Sequence, residues 1–481
     1  MSRPARKPAK SAEPPLVIDV DGTLVRTDLL QEAALQFVAR FPLEIWRLFL
    51  WLLKGKAVLK AELAERVNPG ISSVPLRAET VDLIRQAQAE GRRVYLASAS
   101  DRRYVQELAD RIGGIAGVFA TDPKTNLAGG AKAQRLEAEF GAGGFDYVGD
   151  QPVDFPVWRS ARKQIAVSHS SGFTRRVRAA FPGVQLIAEP RAPTRAYIKA
   201  LRPHQWAKNA LVFLPTIAGH QFTLPYILAS VVAFTCFSLA ASSAYLINDL
   251  LDLPGDRDHA TKHRRPFAAG IIPIPSGIVL SLVLMITSAA LSFLLPLDFS
   301  LVLLAYVALT LSYSFYLKRK LIVDVITLGA LYTIRVLGGI RAVDQPPSPW
   351  LLTFCLFLFL SLATVKRCSE MIARREAGKG AALGRGYRPG DLDALMPLAA
   401  AAGYGAVLVV TLYLASPEVA RLYSHPFRMW LICPALLYWI SRVLVLSSRN
   451  ELHDDPVVFA LTDRVSWLTG AYAAAIIAVA L

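Results

Sequence analysis

LVIDVDGTL, residues 16–24, is a short apolar run that gives way to Asp19, Asp21, Gly22 and Thr23. A run of Leu, Val and Ile bounded by a Gly turn reads as a buried β-strand, and two carboxylates spaced by one residue at its end can both reach a site at the strand's C-terminal edge. Outward from it, RRVYLASAS at 92–100 and FDYVGDQ at 145–151 repeat the pattern of apolar run, turn signal and charged helical stretch. The pattern predicts an α/β, Rossmann-like unit over 16–185. Residues 1–15 are basic and rich in Pro, Ala and Ser, lack the apolar middle of a secretory signal, and read as a disordered tail.

The 481 residues are 53% hydrophobic and 19% charged, with a net charge of +16 and a mean hydropathy of +0.37. That apolar content excludes a disordered or collagen-like chain. An excess of Lys and Arg on a soluble fold would suggest nucleic acid, but in so apolar a chain it points to a multi-span membrane protein with basic loops, and no nucleic-acid partner is expected. After a Pro-, Arg- and Ala-rich linker at 186–200, apolar stretches of membrane-crossing length dominate 201–481. About nine candidate helices start near 206, 226, 276, 299, 321, 348, 393, 428 and 465. Basic residues gather after the second, fourth, sixth and eighth, which predicts an inner- or plasma-membrane protein whose N-terminal unit and even-numbered loops face the cytoplasm. Cys236, Cys355, Cys368 and Cys433 are too scattered for a disulfide framework or a zinc site.

Further motifs follow Asp19 and Asp21 in order: Ser98 closing the second strand, Lys132, then Gly149, Asp150 and Asp154. Together they resemble the haloacid dehalogenase (HAD) phosphatases. The resemblance implies Asp19 as nucleophile, Asp21 as acid/base, Ser98 and Lys132 on the phosphoryl group, Asp19, Asp21 and Asp150 as Mg²⁺ ligands, and Asp154 supporting the metal from behind. Between the first two motifs, PLEIWRLFLWLLKGKAVLK at 42–60 is too short to span. It reads either as an interfacial helix docking on the bilayer or as a cap helix packed over the site.

The second membrane helix delivers NDLLDLPGD, with Asn248, Asp249, Asp252 and Asp256, at its cytoplasmic end. Carboxylates three and four residues apart share a helix face and can converge on Mg²⁺, which prefers a few carboxylates plus substrate phosphates. In this setting the motif resembles the UbiA superfamily of intramembrane prenyltransferases, which implies an all-α transmembrane fold. RPHQWAKN at 202–209, DRDHATKHRRPFAAG at 256–270, YSFYLKRKLIVD at 313–324 and KRCSE at 366–370 resemble its decaprenyl-phosphate phosphoribosyltransferase branch. The second DxxxD motif of aromatic prenyltransferases is absent, and Lys366, Arg367 and Glu370 stand in its place.

That resemblance implies transfer of 5-phosphoribosyl from phosphoribosyl diphosphate to a polyprenyl phosphate. Mg²⁺ would sit on Asn248, Asp249, Asp252 and Asp256, with Asp249 and Asp252 central to catalysis. Lys262, Arg264 and Arg265 are expected near the sugar phosphate and diphosphate, and Lys208, Lys366, Arg367 and Glu370 near the lipid phosphate. Two charges inside the fifth helix, Asp324 and Arg335, are expected to have a role: Asp324 in substrate binding or pairing with a base, Arg335 in substrate contact or helix packing. His453, Asp454 and Asp455 read as the acidic start of the last helix. His204 and His263 read as bystanders, and the aromatic run Trp350–Phe359 as packing surface. Two rivals remain: a conventional prenyltransferase moving an isoprenoid from its diphosphate, and a non-catalytic membrane carrier with a regulatory HAD module.

Overall fold

A computed structural model of the chain describes residues 13–480 apart from 124, 169, 190, 260, 377–385, 418, 420–422 and 453–455. Most of the expected tail, residues 1–12, and the readings of His453, Asp454 and Asp455 fall outside the described residues. The chain forms two compact units, one of Met1–Ala200 with Leu246–Ile278, the other of Leu201–Tyr245 with Val279–Leu481.

In the first unit the three apolar runs become strands of one six-stranded parallel sheet, ordered β3-β2-β1-β4-β5-β6. The strands are β1 Leu16–Ile18, β2 Val94–Asp101, β3 Gly117–Thr121, β4 Asp146–Gly149, β5 Lys163–Ser168 and β6 Gln185–Ala188. In a sheet covered on both faces, central strands are apolar throughout. Leu16 and Ile18 accordingly pack on one side with Leu96 and Val148, and Val17 on the other with Ala97 and Tyr147. Ile18 pairs with Leu96 on one flank and Val148 on the other, so the residues after β1 and β4 emerge side by side. Strand order reverses direction at β1, and the crevice outside the strand ends at such a point is where open α/β sheets bind ligands.

The insert after β1 is three helices, α1 Leu29–Arg40, α2 Trp46–Leu53 and α3 Lys56–Arg66. Asp28 caps α1 by accepting from the Gln31 amide at 2.9 Å. The insert has one packed and one exposed face. Trp51 is buried edge-on against Phe37 with Arg66 over its ring, whereas Leu43, Phe49 and Leu53 are exposed at 90%, 67% and 83%. After the insert come α4 Ala78–Ala89, α5 Arg102–Ile112 and α6 Gly130–Phe140.

Among the described residues seven helices are long and apolar enough to cross a membrane: Leu224–Leu251, Ile274–Ser292, Leu297–Phe315, Val323–Ala342, Pro349–Glu376, Leu392–Leu414 and Pro426–Ser448. The expected count of about nine was approximate, and two of its segments fall outside these seven. The segment near 206 is a 3₁₀ stretch, Pro203–Phe213, running into the five-residue helix Leu214–Ala218. Pro203 and Pro215 both lack an amide donor and interrupt a continuous ladder. The final helix, Arg464–Ala480, is apolar but has 17 residues. The basic loops still alternate along the chain, following every second spanning helix from the first onward.

Helices of the second unit approach closely through small residues, as membrane helices do. A Cβ on Gly339 would overlap the backbone carbonyl of Val212, and the same helix presents Gly329 to the backbone at Leu360. Backbone cannot rotate away as a side chain can, so Gly339→Ala is expected to destabilise by about 1–3 kcal/mol. Thermal unfolding of the protein in detergent should show a midpoint several degrees lower; an unchanged midpoint would refute the close-packing account.

Candidate active sites

β1 hands the chain to Asp19, whose amide donates to the Val148 carbonyl at 2.9 Å, and β4 hands it to Asp150. Between them the loop turns through Gly22 at a φ of +75°, where a Cβ would fall on the Asp150 carboxylate. The loop is pinned from α4 and its approach. Arg77 donates to the Thr23 and Gly22 carbonyls at 3.1 and 2.8 Å, and Thr80 donates to the Thr23 carbonyl at 2.9 Å. Thr23 in turn donates to Asp150 at 3.2 Å.

Asp19, Asp150 and Asp154 each offer an oxygen within 4.8 Å of the others, all buried. Lys132, in the first turn of α6, lies 2.7 Å from Asp19 Oδ1 and 3.5 Å from Asp154 Oδ1. It also donates to Tyr147, whose hydroxyl donates to Asp154 at 2.9 Å. Burial pushes Asp19 well above the usual carboxylate range, with Lys132 opposing and Asp154, Asp150 and Asp21 adding to the rise. Burial disfavours the charge on Lys132, yet Asp19 and Asp154 hold it above the ordinary lysine range. Three clustered carboxylates against one ammonium form a donor set that fits a hard divalent cation such as Mg²⁺.

Asp21 is placed differently from the metal role expected of it. Its Oδ1 accepts from the Leu29 amide at 2.8 Å, and its Oδ2 from Ser98 and Ser100 at 2.9 and 2.7 Å. The first turn of α1 and the end of β2 thus draw this carboxylate away from the triad. Ser98 is correspondingly turned to Asp21, and Asp154, expected behind the metal, sits within the cluster itself. Ser100 was legible, because alternation along β2 puts it on the face of Ser98. Lys60 had no such signal. Buried on α3, it donates to the Ala99 carbonyl at 2.6 Å and to Asn126 at 2.7 Å, and burial lowers its pKa against the pull of Asp21 and Asp28.

The acidic motif falls within the first unit. Helix Leu224–Leu251 ends, Asp252 leads into the short helix Leu253–Arg257, and the Asp252 and Asp256 amides donate to the carbonyls of Asn248 and Asp252. Asp249 and Asp256 are buried and converge on one guanidinium: Arg265 Nη1 lies 3.1 Å from Asp249 Oδ1 and 2.6 Å from Asp256 Oδ2. Among the described residues, Asp249, Asp252 and Asp256 do not form a three-acid cluster of the tightness seen at Asp19. Arg265, expected on a phosphate, occupies the position of a cation between two acids. Lys262 and Arg264 lie in the turn before it, with Arg264 exposed.

In the second unit, Asn209 accepts from Arg335 Nε at 2.8 Å and donates to Ser238 at 3.0 Å, while Arg335 also donates to Tyr306 and lies over its ring. Arg335 therefore packs helices together, the second of its two readings. Lys208 is buried, 5.8 Å over the Tyr332 ring. Arg367 Nε lies 2.9 Å from Asp324 Oδ2, its Nη1 pairs with Glu370, and Tyr387 donates to Asp324. Arg367 and Glu370, expected near the lipid phosphate, are thus paired with each other, and Arg367 with Asp324 as well. A buried guanidinium between two carboxylates has its charge compensated within the protein. Lys366, half-buried, is the neighbouring cation.

Two outcomes follow. Gly22→Ala forces both a disfavoured φ and a clash with Asp150, so phosphomonoester hydrolysis should fall more than about 100-fold while chain folding persists; retained turnover would refute the geometry. Burial, with Asp21 beside it, raises Asp28 to about 6. An acid raised on folding contributes stability in full below about pH 4 and loses it as pH rises through its folded pKa. Asp28→Asn keeps the cap without the charge, so its unfolding temperature should gain on the wild type as pH rises from about 4 to about 7. A constant difference would show that Asp28 does not titrate there.

The sequence pattern of the UbiA prenyltransferase family matches residues 210–479, and that of haloacid dehalogenase-like hydrolases matches 16–159. Among relatives, the uncharacterized protein y4nM of Sinorhizobium fredii is 36% identical over 460 residues, covering 95% of this chain and 89% of that protein. Nodulation protein NoeC of Azorhizobium caulinodans is 33% identical over 275 residues, 56% of this chain and 88% of that protein. Decaprenyl-phosphate phosphoribosyltransferase of Mycobacterium tuberculosis is 37% identical over 186 residues, 38% of this chain and 62% of that enzyme. The chain belongs to the UbiA prenyltransferase family and carries a haloacid dehalogenase-like domain ahead of its membrane helices.

Proposed function

We propose that the membrane domain transfers 5-phosphoribosyl from phosphoribosyl diphosphate to a polyprenyl phosphate, and that the HAD domain then removes the 5-phosphate from the lipid product. The observation that carries this reading is one chain holding both a phosphomonoesterase-type crevice at Asp19 and an acidic diphosphate-type motif at Asp249–Asp256. Phosphoribosyl transfer leaves a phosphomonoester on its product. Prenyl transfer to an aromatic acceptor leaves none, and gives the crevice nothing to act on. The identity to decaprenyl-phosphate phosphoribosyltransferase supports the same choice.

In the first step an oxygen of the lipid phosphate attacks the anomeric carbon as the bond to diphosphate breaks. Mg²⁺ bound at the acidic motif would offset charge on the departing diphosphate. In the second step the Asp19 oxygen not held by Lys132 attacks phosphorus, and Asp21, oriented by Leu29, Ser98 and Ser100, gives its proton to the departing ribose oxygen. Asp21 then takes a proton from the water that cleaves the aspartyl phosphate. Mg²⁺ on Asp19, Asp150 and Asp154 would supply charge there. The exposed apolar side chains Leu43, Phe49 and Leu53 on the insert that follows Asp19 suit a lipid-linked substrate, and the alternating basic loops suit a cytoplasmic location for both reactions.

The test is product analysis with purified protein, Mg²⁺, labelled phosphoribosyl diphosphate and a polyprenyl phosphate. Lipid-linked ribose without its 5-phosphate is expected, and Asp19→Asn should leave the phosphorylated lipid to accumulate. Absence of label from lipid would favour the conventional prenyltransferase. Phe49→Asp with Leu53→Asp should reduce hydrolysis of the lipid phosphomonoester at least about tenfold, against less than twofold for p-nitrophenyl phosphate. Equal loss on both would remove the apolar ridge from substrate recognition.

A further inference from the structure

The acidic loop is fastened to the HAD fold by a buried ion pair. Arg257, the residue after Asp256, donates from Nη1 to Glu32 Oε2 at 2.7 Å and from Nη2 to Oε1 at 2.6 Å. Both side chains are almost fully enclosed, at 4% and 1% exposure. Arg257 Nε donates to the Ala268 carbonyl at 3.1 Å, so the same guanidinium joins the two legs of the loop. One turn further along α1, Gln36 donates to the Leu251 carbonyl at 3.0 Å. Glu32 and Gln36 share a face of α1 by their spacing of four. Inside the loop, Arg265 ties Asp249 to Asp256.

A carboxylate on the core-facing side of a helix, flanked by the buried Leu29, Ala33 and Phe37, is strongly unfavourable without a partner. The HAD domain's own catalytic cluster makes no use of Glu32. Bidentate pairing fixes a guanidinium in direction as well as distance, and Arg257 is covalently next to Asp256. We infer that Glu32 is a positioning residue for the transferase: through Arg257 it sets the place of Asp249 and Asp256, so that the HAD domain is a structural part of the diphosphate site. This rests on the reading of Asp249, Asp252 and Asp256 as holders of diphosphate.

The experiment uses the full chain in detergent, comparing wild type with Glu32→Gln and Glu32→Asp. Hydrogen exchange of amides 249–270 is followed without ligand, then titration with inorganic diphosphate and Mg²⁺, then KM and kcat for lipid labelling. Glu32→Gln should exchange at least tenfold faster across the loop, and should raise both the diphosphate Kd and the phosphoribosyl diphosphate KM at least tenfold. Hydrolysis of p-nitrophenyl phosphate should stay within twofold, and Glu32→Asp should recover most of the affinity. Unchanged exchange and Kd in Glu32→Gln would overturn the inference alone, whereas a wild type that fails to bind diphosphate would overturn the reading of the motif and the inference with it. If Glu32→Gln loses phosphatase activity as well, Glu32→Leu with Arg257→Met replaces the pair by apolar groups of similar size. In that fold a tenfold loss of diphosphate affinity supports positioning, and wild-type affinity overturns it.

Discussion

Carboxylates gathered in a poorly solvated place repel one another, and their burial is tolerable only with a cation among them. Four acidic groups in this chain are each organised around one basic side chain. Lys132 stands beside Asp19 and Asp154, Arg265 between Asp249 and Asp256, Arg257 against Glu32, and Arg367 between Asp324 and Glu370. The pairings differ in their ratio. At Glu32 one guanidinium meets one carboxylate, as in a structural pair. Around Asp19 three carboxylates gather with one ammonium in a buried cluster, a donor set that suits a divalent cation.

This difference separates what was legible in the sequence from what was not. The positions of Asp19, Asp150, Asp154 and Lys132 follow from local rules: a strand end, a turn, a helix start, all feeding one sheet edge. Parallel pairing of β1 with β4 then brings the three carboxylates together, and Lys132 at the start of its helix meets them there. Other long cations are another matter. Arg367 at the end of a span reads the same in sequence whether it faces a lipid phosphate or Asp324, because the choice depends on packing between two helices. Lys60 lies in a stretch with Lys54 and Lys56 that reads in sequence only as a basic flank, yet its partner Ala99 lies 39 residues away on β2. Residues with several rotatable bonds are placed by tertiary contacts, and composition does not contain those.

The segment near 206 differs from its expectation for a related reason. Hydropathy counts apolar residues, and the stretch from 203 has enough of them. Its prolines remove donors at both ends of the segment, so the backbone folds as a 3₁₀ run that supplies Asn209 to Arg335 instead of crossing as a helix. Arg335 then needs no substrate to explain its burial.

The Glu32–Arg257 pair spans 225 residues of sequence and lies outside every motif. Its existence changes what the fusion of a HAD-like domain to a UbiA-family domain means. Two enzymes joined only for proximity would each keep their charges balanced within their own fold, and cutting the linker would leave both intact. Here the helix that begins at the amide held by Asp21 carries, one turn on, a buried carboxylate whose partner belongs to the acidic loop. Removing the loop would strand Glu32, and removing α1 would strand Arg257. The stability of the phosphatase fold and the geometry of the acidic motif are therefore linked through one hydrogen-bonded pair, and neither sequence segment is free to change without the other.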